Sequence, residues 1–430
     1  MDRAHGRAYH FRMRSHRALA FFSAALFAIG TSVLPFRAAH AAHVFTAPFI
    51  SYATSDNPEC VAIGDLNGDG NPDLAVGSDY HVVSVLLGSA DGAFGTAMSF
   101  ATGGRGDVRS IAIDDLDGDG HPDLVASDLG GRAVAVLRGN GDGTFLPSGI
   151  FGTAGDPISL VVRDLNGDGK SDLATANANF SFTTVSVLLG NGDGTFAART
   201  DFDTGVSPMA IVSGDLNGDG IPDLATANQD SSLSVLLGIG DGTFVRVSDY
   251  KMGTMPNSLA IGDVNGDGRS DLATANTNAQ TVLVLLARSD GTLFRPTSYA
   301  TQGLPADVKI ADVNADGKRD LVVTDVSPGM VSVLLGDGAG FFGTRMDFPT
   351  AAGTIRVALG DLNHDGSLDV AAVSYLSNVV TPMLGRGDGT FDVAATFPAG
   401  TNPIAMAGGD LNGDGKLDPT GQGTSPNSLH

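Results

Sequence analysis

"GDLNGDGNPD", residues 64–73, decides the fold because the chain keeps returning to it. Later copies read "DDLDGDGHPD", "RDLNGDGKSD", "GDLNGDGIPD", "GDVNGDGRSD", "ADVNADGKRD", "GDLNHDGSLD" and "GDLNGDGKLD". The first Asp of each loop falls at 65, 115, 164, 215, 263, 312, 361 and 410, a period of 48–51 residues. Such regularity is the signature of a propeller or solenoid. A nonapeptide calcium roll would repeat far more often, so the period excludes it.

One full unit shows the parts. It reads "PMAIVSGD" (208–215), the loop, "DLATANQD" (223–230), "SLSVLLG" (232–238) and "IGDGTFVRVSDYKMG" (239–253). Four short apolar or alternating runs joined by Gly/Asp turns predict four antiparallel strands, a propeller blade. Stretches such as "LLGNGDGTF" (188–196) predict a hairpin between third and fourth strands. Fourth strands carry aromatics six apart, at Phe94/Phe100, Phe145/Phe151, Phe196/Phe202, Phe244/Tyr250 and Phe391/Phe397. An even separation predicts both rings on one strand face. That stripe reads as core, since exposed aromatics on every blade would make a large apolar patch.

Residues 44–58, "VFTAPFISYATSDNP", read as a fourth strand without the first three. Seven complete units follow. The eighth has a first strand and a loop and then "PTGQGTSPNSLH", with no second or third strand expected. The expectation is therefore an all-β, seven-bladed propeller closed by the N-terminal strand, over residues 42–418. Eight blades with an incomplete last one is the alternative, and residues 419–430 read as a frayed tail.

The loop also carries the chemistry. Position 1 is Asp65, Asp115, Asp164, Asp215, Asp263, Asp312, Asp361 and Asp410. Position 3 is Asn67, Asp117, Asn166, Asn217, Asn265, Asn314, Asn363 and Asn412. Position 5 is Asp69, Asp119, Asp168, Asp219, Asp267, Asp316, Asp365 and Asp414. Position 9 is Asp73, Asp123, Asp172, Asp223, Asp271, Asp320, Asp369 and Asp418. Several carboxylates on one tight turn repel one another unless a cation sits among them. A hard divalent ion taking six to eight oxygens fits best, and calcium is that ion. Gly at position 6 supplies the unusual backbone angle. Position 7 varies freely, as Asn71, His121, Lys170, Ile221, Arg269, Lys318, Ser367 and Lys416. That freedom points to a backbone carbonyl ligand, as at position 7 of EF-hand loops. About seven ions, and up to eight, are expected. The competing reading is an Asn/Gly/Asp turn that caps its own backbone. A helical EF-hand does not fit, because "LAVGS", "LVASD" and "LATAN" follow as strand and position 12 is never Glu.

Composition agrees. The chain has 430 residues and a formal net charge of −23. Glu59 is its only Glu, whereas a helical protein uses Glu freely. The eight loops hold 25 Asp, so about half the acidity reads as ligand. So acidic a surface makes a poor partner for nucleic acid. The N-terminus reads as a secretory signal over residues 1–41. It has Arg3, Arg7, Arg12, Arg14 and Arg17, then "ALAFFSAALFAIGTSVLPF", then "AHA" at 39–41. A membrane anchor is the alternative, and no stable insertion is expected. Cys60 is alone, so no intrachain disulfide exists.

The loops and period resemble the FG-GAP/VCBS repeats of bacterial secreted proteins, which are similar to the N-terminal propeller of integrin alpha chains. The Phe-Gly element survives at Phe94–Gly95 and Phe342–Gly343, and Gly-Ala-Pro is reduced to Gly-x-x-Pro, as in Gly205–Pro208. The resemblance implies that calcium loops hold the blades rigid on one face. It implies an extracellular protein or glycan partner on the other face. There lie "SDYHVV", "DLGGRA", "NANFSFTT", "NTNAQT", "ATGGRGDVR" and "GTAGDP". The protein is expected to be secreted or at the cell surface, with the periplasm fitting the same signal.

Enzyme chemistry is not legible. No HExxH, GxSxG or Cys/His pattern occurs, and no catalytic residue is named. A secreted propeller hydrolase or lyase, or a purely structural repeat, stands as the alternative. There is no Trp, and Tyr80, Phe180 and Tyr375 are the candidate sugar platforms. Two Arg-Gly-Asp triplets occur. Arg386–Asp388 is a hairpin turn, and Arg105–Asp107 lies between blades. The signal reading predicts a mature N-terminus near Ala42, which N-terminal sequencing of the exported protein would show; a full-length, membrane-retained product would make residues 18–36 an anchor instead.

Overall fold

In each unit, a β-branched first strand ends at the Asp loop, which turns the chain back into a second strand of small and branched residues. The computed structural model describes residues 52–393, apart from 56, 91, 179–182 and 253–254. It also describes the strands Pro403–Gly409 and Asp418–Gly423. The described residues belong to one compact unit, Ala47–His430. It is a seven-bladed propeller of four-stranded antiparallel blades. The innermost strands are Pro58–Gly64, Ile111–Asp114, Asp156–Arg163, Pro208–Gly214, Pro256–Gly262, Pro305–Ala311 and Thr354–Gly360, in blades 1 to 7. Each meets the next, and blade 7 meets blade 1.

The core lies between blades. Seven buried clusters fill the seven interfaces. Second strands such as Asp223–Asn228 are buried along their whole length, because a neighbouring blade covers each of their faces.

Aromatic rings mark every interface, but not in the expected way. Phe145 packs edge-on against Phe100 of blade 1, at 5.6 Å between centroids. Phe151, on the same strand, packs against Phe196 of blade 3 at 5.2 Å. The two rings thus face opposite sides of their sheet, whereas a separation of six predicted the same side. The cause is a β-bulge. Phe145 pairs with Gly139 and Phe151 with Val134, with a register shift between Val136 and Leu137. The extra residue flips the alternation. Most blades thereby offer one ring to the blade before and one to the blade after; in blade 5 the first of these positions is Leu293, which meets Tyr250. Phe397 lies outside the described residues.

Ring closure explains where its counterpart comes from. The third strand of blade 7, Val379–Gly385, pairs with Phe391–Val393 at one end and with Tyr52–Ala53 at the other. Tyr52 takes the second aromatic position of that blade. Its ring meets Phe94 of blade 1 edge-on at 5.4 Å, and its hydroxyl accepts the Phe94 N–H at 3.0 Å. Tyr250 and Tyr299 make the same bond to Leu293 and Phe342.

The eighth unit differs from expectation in one respect. Asp418–Gly423 pairs with Pro403–Gly409 as a second strand, although "PTGQG" has poor strand propensity. Backbone pairing next to the loop outweighs that propensity.

Tyr52→Ala removes the ring that closes the propeller and should cost about 3 kcal/mol. Tyr52→Phe removes only the hydroxyl acceptor and should cost about 1 kcal/mol. Equilibrium denaturation measures both, and an unchanged Tyr52→Ala midpoint would show that closure does not rest on this strand.

Candidate metal centre

Asp and Asn side chains accept hydrogen bonds from backbone N–H groups two to five residues ahead, and three such bonds recur in every described loop. Position 1 accepts the position 6 N–H at 2.8–2.9 Å in all seven described loops. Position 3 accepts the position 5 N–H at 2.9–3.2 Å. Position 5 accepts the position 7 N–H at 2.7–3.0 Å. These bonds gather the oxygens on one turn.

Position 9 works differently. It is the first residue of the second strand and is buried in every described blade. One oxygen accepts the position 2 N–H at 2.7–3.1 Å. The other accepts an N–H at the end of the third strand at 2.6–2.9 Å. A single carboxylate therefore ties the loop to the far hairpin of its own blade.

The donor set fits a hard cation. In loop 2, where position 3 is Asp rather than Asn, carboxylate oxygens of Asp115, Asp117 and Asp123 lie within 4.8 Å of one another. Asp65, Asn67, Asp69 and Asp73, with the position 7 carbonyl, would supply the first shell of loop 1, and the equivalent residues the others. Protein cations already approach some loops. Arg138 lies 2.7 Å from Asp117 and 2.9 Å from Asp119, and Arg269 lies 2.5 Å from Asp267. The eighth loop lies outside the described residues, so Asp410, Asn412, Asp414 and Lys416 are not placed, and of Asp418 only the backbone is.

Most position 7 side chains lie against the hairpin between third and fourth strands. His121, Lys170, Ile221, Lys318 and Ser367 pack over a hairpin glycine of their own blade. At Gly141 an added Cβ would meet the His121 ring at 2.4 Å, so glycine alone fits. Sequence reasoning missed position 4, which is also left-handed, at φ +74° in Gly68, +57° in Ala315 and +59° in His364. The recurring Gly at this position carried that signal. His364 adds a link of its own, with Nε2 3.2 Å from Asn71 Oδ1 across the blade 7–blade 1 seam.

Electrostatics divide the ligands into two groups. The Asn71 N–H and the Asn67 amide hold the Asp69 carboxyl below the usual range. Burial opposes ionisation of Asp164, but the N–H groups of Gly169, Gly167, Asn166 and Asp168 outweigh it. Position 9 goes the other way. Burial pushes Asp223, Asp271 and Asp369 up to about 6, against the backbone N–H bonds they accept. A cation beside these groups would favour their charged form.

The opposite face carries the remaining candidates. Tyr80 is 55% exposed and sits at φ +62°. Arg105 is exposed, but the triplet it begins is tied down. The Arg105 and Gly106 N–H groups donate to Asp128, and Asp107 accepts the Tyr80 N–H at 3.2 Å. Tyr375 lies near Glu59 and Asp79; Phe180 lies outside the described residues. Burial pushes the Cys60 thiol up to about 12, too high for a nucleophile at neutral pH. Among the described residues no helix is long and apolar enough to cross a membrane.

The sequence matches the family described as FG-GAP-like repeat in six overlapping stretches: 65–126, 115–175, 164–226, 215–274, 263–323 and 312–372. No curated protein sequence matches the chain. Among solved structures it is similar to BBS1N, crystallised in complex with ARL6DN, at 15% identity and a TM-score of 0.55, over 80% of this chain and 99% of that one. It is also similar to the Neurospora crassa Pan2 WD40 domain, at 11% identity and 0.52, over 76% and 88%. Saccharomyces cerevisiae Sqt1 matches at 11% identity and 0.51, over 78% and 97%. At these identities the likeness is one of fold.

Protons and a cation compete for the position 9 carboxylates. Their folded-state values are raised above the ordinary 3.8, so without a cation their protonation favours the fold below that value, and the benefit is lost as pH rises through about 6. The increment in melting temperature given by calcium should therefore be largest above about pH 6 and shrink towards about pH 4. Melts of dialysed protein with and without calcium across that range test this, and a constant increment would show that position 9 does not sense the ion.

Proposed function

The chain belongs to the FG-GAP-like repeat family, and from that premise we propose that it is an exported, calcium-stiffened interaction module. In this reading calcium in the loops of one face locks the blades, and the opposite face binds a protein or glycan outside the cell. The observation that carries it is the repetition of one oxygen-rich turn, with the same hydrogen bonds, in all seven blades. Seven equivalent turns at the same end of seven sheets repel one another unless neutralised, and the net charge of −23 sets the scale of that repulsion. A cation bound only by the folded state stabilises it by mass action.

The partner face is argued from difference. The loops between second and third strands, and between blades, vary from blade to blade, while the Asp loops do not. Exposed Tyr80, Leu376, Val206 and Met255 all lie in those variable loops. BBS1N, a propeller of similar fold, was crystallised with a protein partner, which supports an interaction role for a rigid ring. The N-terminal signal reading supports an extracellular setting, where calcium is plentiful and extracellular modules bind it at about 10⁻⁴–10⁻³ M.

Removing calcium should lower the melting temperature by many degrees, and an unchanged melt in excess chelator would remove the calcium reading. Asp168→Ala deletes one position 5 carboxylate and should lower stability by about 1–3 kcal/mol in millimolar calcium, while binding per folded molecule is kept. Tyr80→Ala and Arg105→Ala should do the reverse. Should Asp168→Ala abolish partner binding with its melt unchanged, the calcium loops would belong to the ligand site instead.

A further inference from the structure

The chain's charge is strongly negative, yet the channel down the propeller axis is not. A cavity of 280 Å³ there is lined by the innermost strands of all seven blades. Three cations enter it: Arg109, Lys309 and Arg356. Lys309 and Arg356 belong to the adjacent blades 6 and 7, and Arg109 to blade 2 beyond blade 1. The wall across from blades 6 and 7, from blades 3 and 4, is mainly apolar: Ile158, Val161, Met209 and Val212, all half-buried, with Ser159 engaged by the Ile211 N–H.

Two carboxylates serve these cations, and both are already engaged. Glu59 holds Arg109 Nη1 at 2.5 Å. Asp307 accepts the Ser258 hydroxyl at 2.6 Å and the Val357 N–H at 3.1 Å, and lies 3.5 Å from Lys309. Burial opposes its charge, but Lys309, Arg356 and these bonds hold its carboxyl below the usual range. Arg356 is left over. Its Nη1 donates to the carbonyls of Ala306 and Ile355, and among the described residues no carboxylate lies within ion-pair distance of it. Arg109 Nε is buried without a partner. A guanidinium fork is built for a planar, bidentate anion.

We infer that the axial channel binds a small organic carboxylate, its charged end on Arg356 and Lys309 and its apolar body against Ile158 and Met209. The volume equals that of roughly nine waters, so the ligand has about that many non-hydrogen atoms. The inference does not depend on calcium, because none of these residues belongs to an Asp loop, and it goes beyond the interaction role proposed for the outer loops.

Calorimetric titration of the calcium-loaded full chain tests it, with benzoate and hexanoate as probes and inorganic phosphate and benzylamine as controls. Both carboxylates should bind saturably, one per chain, with the controls at least about tenfold weaker. Arg356→Met should weaken benzoate about tenfold and Lys309→Met about threefold. Lys309 is 42% exposed at its side chain, so its variant should fold even if Arg356→Met does not. Asp168→Ala should leave benzoate affinity unchanged, which keeps a failure here distinct from a failure of the calcium reading. The inference is overturned if neither carboxylate saturates, if phosphate binds as tightly as benzoate, or if Lys309→Met leaves the affinity unaltered.

Discussion

The position 9 carboxylate is the constraint on which each blade depends. It begins the second strand, is fully buried, and bonds two backbone N–H groups that would otherwise go unpaired. One of them starts the Asp loop and the other ends the third strand. A buried N–H without an acceptor costs about 1–3 kcal/mol, and a charged acceptor is among the strongest available. The carboxylate itself is disfavoured by burial, as the upward shift of Asp223 records. The site is therefore one in which the fold needs the side chain and the side chain needs positive charge. Calcium at the neighbouring positions would meet both demands, which links the metal reading to the architecture and not to the loop alone.

Between blades the logic is apolar outside and polar inside. At the rim, edge-on aromatic pairs recur at 5.2–5.6 Å. Near the axis the Leu160 N–H donates to Ser110, the Ile211 N–H to Ser159 and the Val308 N–H to Ser258. Asp307 accepts the Val357 N–H in the same way. Small hydroxyls and one carboxylate thus stitch the innermost strands together at four of the seven junctions: blades 2–3, 3–4, 5–6 and 6–7. The same position in blade 4 is Ala210, which has no such acceptor.

Much of this was legible in the sequence, because period and loop chemistry are local. The spacing of Asp65, Asp115 and their successors gave blade length, and the four runs gave the strands. The unpaired strand near Tyr52 gave the manner of closure. What was not legible depended on register. The side to which Phe145 and Phe151 turn is set by a bulge at Val136, and nothing in "GDGTFLPSGIF" announces it. The double role of Asp73 and its equivalents needed the third strand in place, fifteen residues on. Glu59 stands out in the sequence as the only Glu, but its place opposite Arg109 follows from two strands meeting at the axis. The channel's charge, carried by Lys309 and Arg356, has no signature in the repeat, because those residues break it.

Closure by Tyr52 also orders events in time. The residue is made before any blade, yet it pairs with Val380 near the end of the seventh. Contacts so distant in sequence form late, since the loop they close must be ordered first. Until then Phe94 lacks its edge-on neighbour, and the flank of blade 1 lies open to any passing strand. A chain threaded across a membrane from its N-terminus would keep that flank uncovered throughout transit. The interval between the birth of the first strand and its use is when this ring is most open to mispairing, and it lengthens with every blade.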